Sequence, residues 1–244
     1  MLATPLGGYS GATSRVGYVF RVKVRWLAVP LAVAAVFLVG PAVPVDGGVK
    51  VMPLGDSITE GNRVTGVSYR TSLWQHLQGG PRVDLVGSER SGNIPDQDNE
   101  GHPGLRIDQV RSWIDLWLTL NRPRYVLLHL GTNDVFQAYD LPQAPARLQD
   151  LIERIAQRVP GVTILVSSIV PSPDRGLNER IDAYNAAIPA VVSAVHATGA
   201  DVRFVDLNAQ MALSDISADT IHPTDAGALK LGDLWYDALS SAMP

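Results

Sequence analysis

A chain of 244 residues suits one domain, long enough to bury a core without a metal or disulfide to staple it. Its 24 acidic and 20 basic residues leave a net charge of -4, so it lacks the basic footprint of a nucleic-acid binder. It has no cysteine, which excludes thiol nucleophiles, thiolate metal sites and disulfide frameworks.

The first segment is a targeting pattern. Arg15, Arg21, Lys23 and Arg25 precede an apolar run from Trp26 to Val39, and Gly40-Pro41-Ala42 follows. A basic flank, a short apolar stretch and small residues describe a secretory signal with cleavage after Ala42. Residues 1–45 are therefore read as a signal peptide, and the chain as secreted or extracytoplasmic. The run falls short of the ~20 residues of a spanning helix. Val43 and Val45 extend it, however, so an uncleaved membrane anchor with a short linker stays open.

Residues 46–244 form the domain proper. Short runs rich in Val, Ile and Leu occur at 49–54, 83–86, 125–130, 162–169 and 202–207, without polar alternation. That is the pattern of strands buried on both faces. Between and after them, 69–77, 108–120, 144–159, 178–197 and 225–239 carry apolar residues at helical spacing. Strand–helix alternation implies right-handed crossovers and a parallel sheet covered on both sides. The expected fold is α/β, a flavodoxin-like three-layer α/β/α with a five-stranded parallel sheet. In such folds ligands sit at the carboxyl ends of the strands.

Four segments at those ends carry chemistry. After the first strand comes Gly55-Asp56-Ser57, where Ser57 is either a nucleophile at the sheet edge or a helix N-cap. No G-x-S-x-G elbow surrounds it. The loop after the second strand holds Gly101-His102-Pro103-Gly104, a turn signal whose glycines let backbone N–H groups approach a ligand. The third strand ends in Gly131-Thr132-Asn133-Asp134; the Asn133 amide either donates to an oxyanion or caps a turn. Near the C-terminus stands Asp219-Thr220-Ile221-His222-Pro223, on a loop before a helix that Thr224 can cap. A serine hydroxyl needs a base such as His222, and the base needs a carboxylate such as Asp219 to fix its tautomer.

The other histidines read as structural. His76 and His196 lie on helical patterns, and His129 lies inside a buried strand, where a hydrogen-bonded core histidine is expected. Residues 96–100 contain calcium-type ligands but read as an ordinary acidic loop. Asn62 and Arg63 could meet a sugar, while Tyr69 and Trp74 read as core.

Together the four segments resemble the blocks of the SGNH hydrolases, or GDSL-type esterases, over roughly residue 49 to the C-terminus. Within that family, MPLGDSITEG from Met52, EGHPGL from Glu100 and YNAAIP from Tyr184 look like the carbohydrate acetyl-esterase branch, which includes acetyl xylan esterases. Ile58 replaces the leucine of the GDSL name. The resemblance implies a serine esterase with Ser57, His222 and Asp219 as catalytic residues. Its oxyanion hole is formed by Ser57, Gly104 and Asn133, with Gly104 matching better than Gly101. It implies no metal and no cofactor. The partner is a small-molecule or polysaccharide ester, most simply an O-acetyl group on carbohydrate. Two alternatives remain: a lipase- or thioesterase-type relative with longer acyl substrates, and a cell-surface binding module without catalysis.

Overall fold

The computed structural model describes residues 47–244; the export signal or anchor expected at 1–45 lies outside the described residues. In chain order the elements are β1 (Val49–Gly55), α1 (Ser57–Glu60), α2 (Tyr69–Leu77), β2 (Val83–Leu85), β3 (Glu89–Arg90), β4 (Asp98–Gly101), α3 (Ile107–Asn121), β5 (Tyr125–His129), α4 (Thr132–Phe136), α5 (Ala144–Arg158), β6 (Thr163–Ser167), α6 (Arg175–His196), β7 (Asp201–Val205) and α7 (Asp225–Ala242). Among the described residues no helix is long and apolar enough to cross a membrane.

Strands β2, β1, β5, β6 and β7 lie side by side and parallel, in the order of a flavodoxin-like sheet. Successive strand side chains point to opposite faces. Met52, Leu54, Val126, Leu128, Ile164 and Val166 therefore pack with α3, α5 and α6, whereas Val51, Tyr125, Leu127 and Leu165 pack with α2 and α7. The result is a three-layer α/β/α domain. Burial on both faces explains why these strands are continuous apolar runs: a fully buried aliphatic side chain contributes about 1.5–3 kcal/mol.

The sheet departs from the expected five parallel strands. Residues around 98–101, expected as loop, form β4, which extends the open edge of β1 beyond β2; β3 then runs antiparallel to β4. The sheet is thus seven-stranded and mixed. No apolar run marks the two extra strands, because their role is to pair backbone groups that would otherwise be stranded at the sheet end. β1 consequently changes neighbour midway. Val49, Lys50 and Val51 pair with β2, and Leu54 and Gly55 pair with β4. Pro53, which has no N–H to give, falls between the two.

Candidate active site

Ser57 opens the single-turn helix α1 at the carboxyl end of β1. The capping role falls to Asp56, whose side chain accepts a hydrogen bond from the Ile58 N–H at 2.9 Å. The Ser57 hydroxyl is left to reach across the cleft, where its Oγ lies 2.9 Å from His222 Nε2.

The loop carrying His222 is held closed at its base. Ile216 bridges Pro223, and Ser217 N–H donates to the His222 carbonyl at 2.8 Å. Thr220 adopts a left-handed φ of 69°, costly for a β-branched residue, and its carbonyl accepts from Ser172 Oγ at 2.7 Å. Asp219 organises the interior. Its Oδ1 accepts from Ser217 Oγ and from the N–H groups of Ile221 and His222, leaving Oδ2 for His222 Nδ1 at 2.7 Å. Partial burial pushes the Asp219 carboxyl up. The hydrogen bonds from the His222 and Ile221 backbone, then from the His222 and Ser217 side chains, outweigh it and hold the group well below the usual carboxylate range. An ionised carboxylate can only accept, so Nδ1 carries a proton, and in the neutral imidazole Nε2 is the bare nitrogen facing Ser57. Thr224 caps α7 as expected, through the Gly227 N–H at 3.0 Å.

On the other side of Ser57, Pro103-Gly104 forms the middle of a tight turn. Leu105 N–H donates to the His102 carbonyl at 3.2 Å, and Gly104 has φ 79°, the signature of a type II turn that glycine accommodates. Gly104 is exposed. Gly101, by contrast, is buried in β4 and its N–H already donates to Asn99 Oδ1 at 3.0 Å. Of the two glycines only Gly104 is exposed, next to Pro103, which lines the cleft.

Asn133 lies in α4, one turn past β5. Its Nδ2 donates to the Leu105 carbonyl at 3.1 Å and sits 3.5 Å from Asp56 Oδ2. Both partners are acceptors, so the nitrogen side of the amide is the one turned toward Leu105 and Asp56. The preceding Gly131 has φ 123°, and a Cβ there would meet the Tyr184 ring at 2.5 Å. Tyr184 in turn donates to the Leu130 carbonyl at 2.9 Å. The tyrosine of the YNAAIP stretch thus underpins the turn that presents Asn133.

Asp56 is a residue that motif reading passes over. It is fully buried between Ser57 and Asn133, and burial pushes its carboxyl up to about 6 against the hydrogen bond from Ile58. His102 is another. Its Nε2 lies 2.6 Å from Glu100 Oε1, a fully buried carboxylate that also accepts from Ser88 N and Ser88 Oγ. The His102 ring stacks on Trp117 at 4.2 Å. His129 is buried as expected, but no protein group hydrogen-bonds either ring nitrogen, which corrects the expected bonded state. Burial pushes it down to about 4, so it is neutral at pH 7. His76 pairs with Asp233, and His196 ends α6. Among the described residues no three carboxylate or imidazole groups converge to hold a metal ion.

A cleft of about 400 Å³ opens beside Ser57 and His222, within the range of small-molecule sites. Asn62, Arg63, Asp225 and Ser217 give it polar walls, and Ile58, Val67, Tyr69 and Leu231 give it apolar ones. Tyr69 is core, as expected, and also lines the cleft, with its hydroxyl 3.1 Å from Thr59 Oγ1.

Comparison with known proteins identifies the family and the fold. A sequence model described as the GDSL-like Lipase/Acylhydrolase family matches residues 54–229. A solved family 3 carbohydrate esterase of Clostridium thermocellum is 38% identical, with a TM-score of 0.71, covering 80% of this chain and 99% of that one. A solved acetyl esterase carrying a Ser-to-Ala substitution, with an acetate ion, is 26% identical at a TM-score of 0.68, covering 80% and 97%. A multidomain esterase of Ruminococcus flavefaciens is 27% identical over 223 residues, 79% of this chain. The chain spans 56% and 28% of the length of the two curated relatives it matches.

Proposed function

The chain belongs to the GDSL-like lipase/acylhydrolase family, and from that premise we propose that it is a serine esterase removing short acyl groups, chiefly acetyl, from carbohydrate. The observation that carries this is the relay Ser57 Oγ to His222 Nε2 at 2.9 Å and His222 Nδ1 to Asp219 Oδ2 at 2.7 Å, at the mouth of a cleft. The carbohydrate esterase and acetyl esterase neighbours support the substrate class. The basic-then-apolar pattern of residues 1–45 supports work outside the cytoplasm, on external polymer.

Ser57 Oγ attacks the ester carbonyl carbon as His222 Nε2 takes its proton. The Asp219 carboxylate stabilises the imidazolium that results. The tetrahedral oxyanion receives the N–H groups of Ser57 and Gly104 and the Nδ2 hydrogen of Asn133 that turns away from Asp56 Oδ2, its long 3.5 Å partner in the resting site, while the other stays on Leu105. His222 then delivers its proton to the departing alcohol oxygen, leaving acyl-Ser57. Water attacks the acyl carbon while His222 takes a water proton; collapse returns the proton to Ser57 Oγ and releases the acid.

Hydrolysis of 4-nitrophenyl esters of increasing acyl length, by wild type and a folded Ser57→Ala variant, tests the reading. Expected is activity on acetate that falls with chain length and drops about 10⁴-fold or more in the variant. Equal activity in both proteins would remove Ser57 as nucleophile. Activity that rises with acyl length would favour a lipase-type substrate, and none in either would favour a binding module.

A further inference from the structure

The cleft beside Ser57 does not end at Arg63. A second cavity, of about 430 Å³, shares Glu60, Gly61, Asn62 and Arg63 with it and continues between the 64–66 and 90–93 segments. We propose that this second chamber is a subsite for further hydroxyl-bearing units of the alcohol being released, so that the protein prefers esters on oligosaccharides to esters on single sugars. The proposal rests on the esterase reading above.

Three observations carry it. The first is direction. The departing alcohol takes its proton from His222, so it must lie on the His222 side of Ser57. On that side Pro223, Thr224 and Asp225 line the cleft, and Asp225 Oδ1 accepts from Asn62 Nδ2 at 3.1 Å and Thr65 Oγ1 at 3.0 Å. The wall therefore runs unbroken from the base to the second chamber.

The second is rigidity. Arg70, fully buried, ties the Glu60 edge of the chamber to its Ser91 edge. Its guanidinium donates to the Thr59 and Glu60 carbonyls on one side, and to the Ser91 and Gln97 carbonyls and Ser91 Oγ on the other, at 2.8–3.2 Å. Asn93 N–H closes the far wall on the Gly66 carbonyl at 2.9 Å. A preformed groove spares the ordering cost of binding.

The third is chemistry. The two cavities differ in lining: apolar side chains face the cleft at Ser57, but Val64 is the one such side chain on the second chamber. Its other residues offer amides, hydroxyls, backbone and two arginines. Each arginine is matched by a carboxylate, Arg63 by Glu60 at 2.8 Å and Arg90 by Asp98 at 3.3 Å, so the chamber has no surplus charge to reserve it for an anion. Paired donors and acceptors on a rigid, neutral surface fit a polyol and repel an acyl chain.

The test measures kcat/KM of the full chain on 4-nitrophenyl acetate and on mono-O-acetylated xylo- and manno-oligosaccharides of one to four units. Variants are Asn93→Trp, which fills the chamber from an exposed position, and Arg90→Gln, which replaces the guanidinium by a shorter amide with fewer donors. Wild-type kcat/KM is expected to rise about tenfold or more with length, as remote binding energy is drawn into the transition state. Asn93→Trp abolishes the rise and Arg90→Gln reduces it, while the ratio to 4-nitrophenyl acetate turnover falls in step. No rise in wild type, a rise untouched by both variants, or equal losses on both substrate types would each overturn the subsite. A wild type inactive on 4-nitrophenyl acetate as well would instead take down the esterase reading.

Discussion

Two carboxylate–imidazole pairs flank Ser57 at nearly the same separation, 2.7 Å in Asp219–His222 and 2.6 Å in Glu100–His102. Their surroundings differ. The Asp219 and His222 side chains are 51% and 42% exposed, whereas Glu100 is fully buried and His102 is 17% exposed. Ser88 occupies the Glu100 oxygens twice, and Trp117 covers the His102 ring. An imidazole that must pass a proton between serine, alcohol and water needs an open face. One that holds the base of the Pro103–Gly104 turn needs every partner committed. The same two residue types thus serve as a relay where solvent reaches them and as a clamp where it does not.

The comparison breaks most visibly at the exposed pair. Asp219→Asn keeps the oxygen that three donors use and turns an NH2 toward His222, forcing the wrong tautomer. We expect kcat to fall about 10⁴-fold with a loss of chemical-denaturation stability of about 1–3 kcal/mol, as the bonds to the charged carboxylate weaken. A kcat within tenfold of wild type would put the base elsewhere.

Asp56 extends the comparison to a carboxylate that is buried like Glu100 but has no imidazole bonded to it. Burial raises its pKa from 3.8 to about 6, so between those values the native state holds a proton that the unfolded chain has released. Stability therefore declines as pH rises from about 4 to 6, by up to about 3 kcal/mol from this group. Urea titrations across that range should show a shallower slope in Asp56→Asn. An identical slope in both proteins would mean the group ionises without penalty.

The smallest effect is expected at the clamp. Glu100→Gln keeps one acceptor oxygen but sets an NH2 against Ser88 or His102, at a stability cost of about 1–3 kcal/mol. Turnover of 4-nitrophenyl acetate should fall far less than the 10²–10³-fold of a lost oxyanion donor. A larger loss of kcat with stability unchanged would make Glu100 part of the chemistry.

What the sequence discloses follows from how each feature is encoded. The five main strands and the longer helices are legible because burial on one or both faces writes an apolar period. α2 falls at 69–77 as expected, and α6 and α7 extend the expected helices by only a few residues. The juxtaposition of Ser57, His222 and Asp219 follows once their segments are placed at strand ends. β3 and β4 are silent because their residues are polar and their stabilisation lies in backbone pairing. Arg70 belongs to no motif, yet it is spent on five carbonyl contacts and Ser91 Oγ, partners scattered over 59–97 that no local spacing announces. Gly101 and Gly104 are equivalent as letters; the hydrogen bond to Asn99 separates them.

The change of neighbour along β1 links substrate wall and nucleophile mechanically. β2 pairs with Val49–Val51 and leaves the end of β1 nearest Ser57 to β4, which takes over at Leu54 and Gly55. On its outer side β4 carries Glu89 and Arg90, the start of one wall of the second chamber. A single strand thus joins that wall to the strand that delivers the nucleophile, so a change that shifts the wall's register is transmitted toward Ser57 rather than absorbed at the surface.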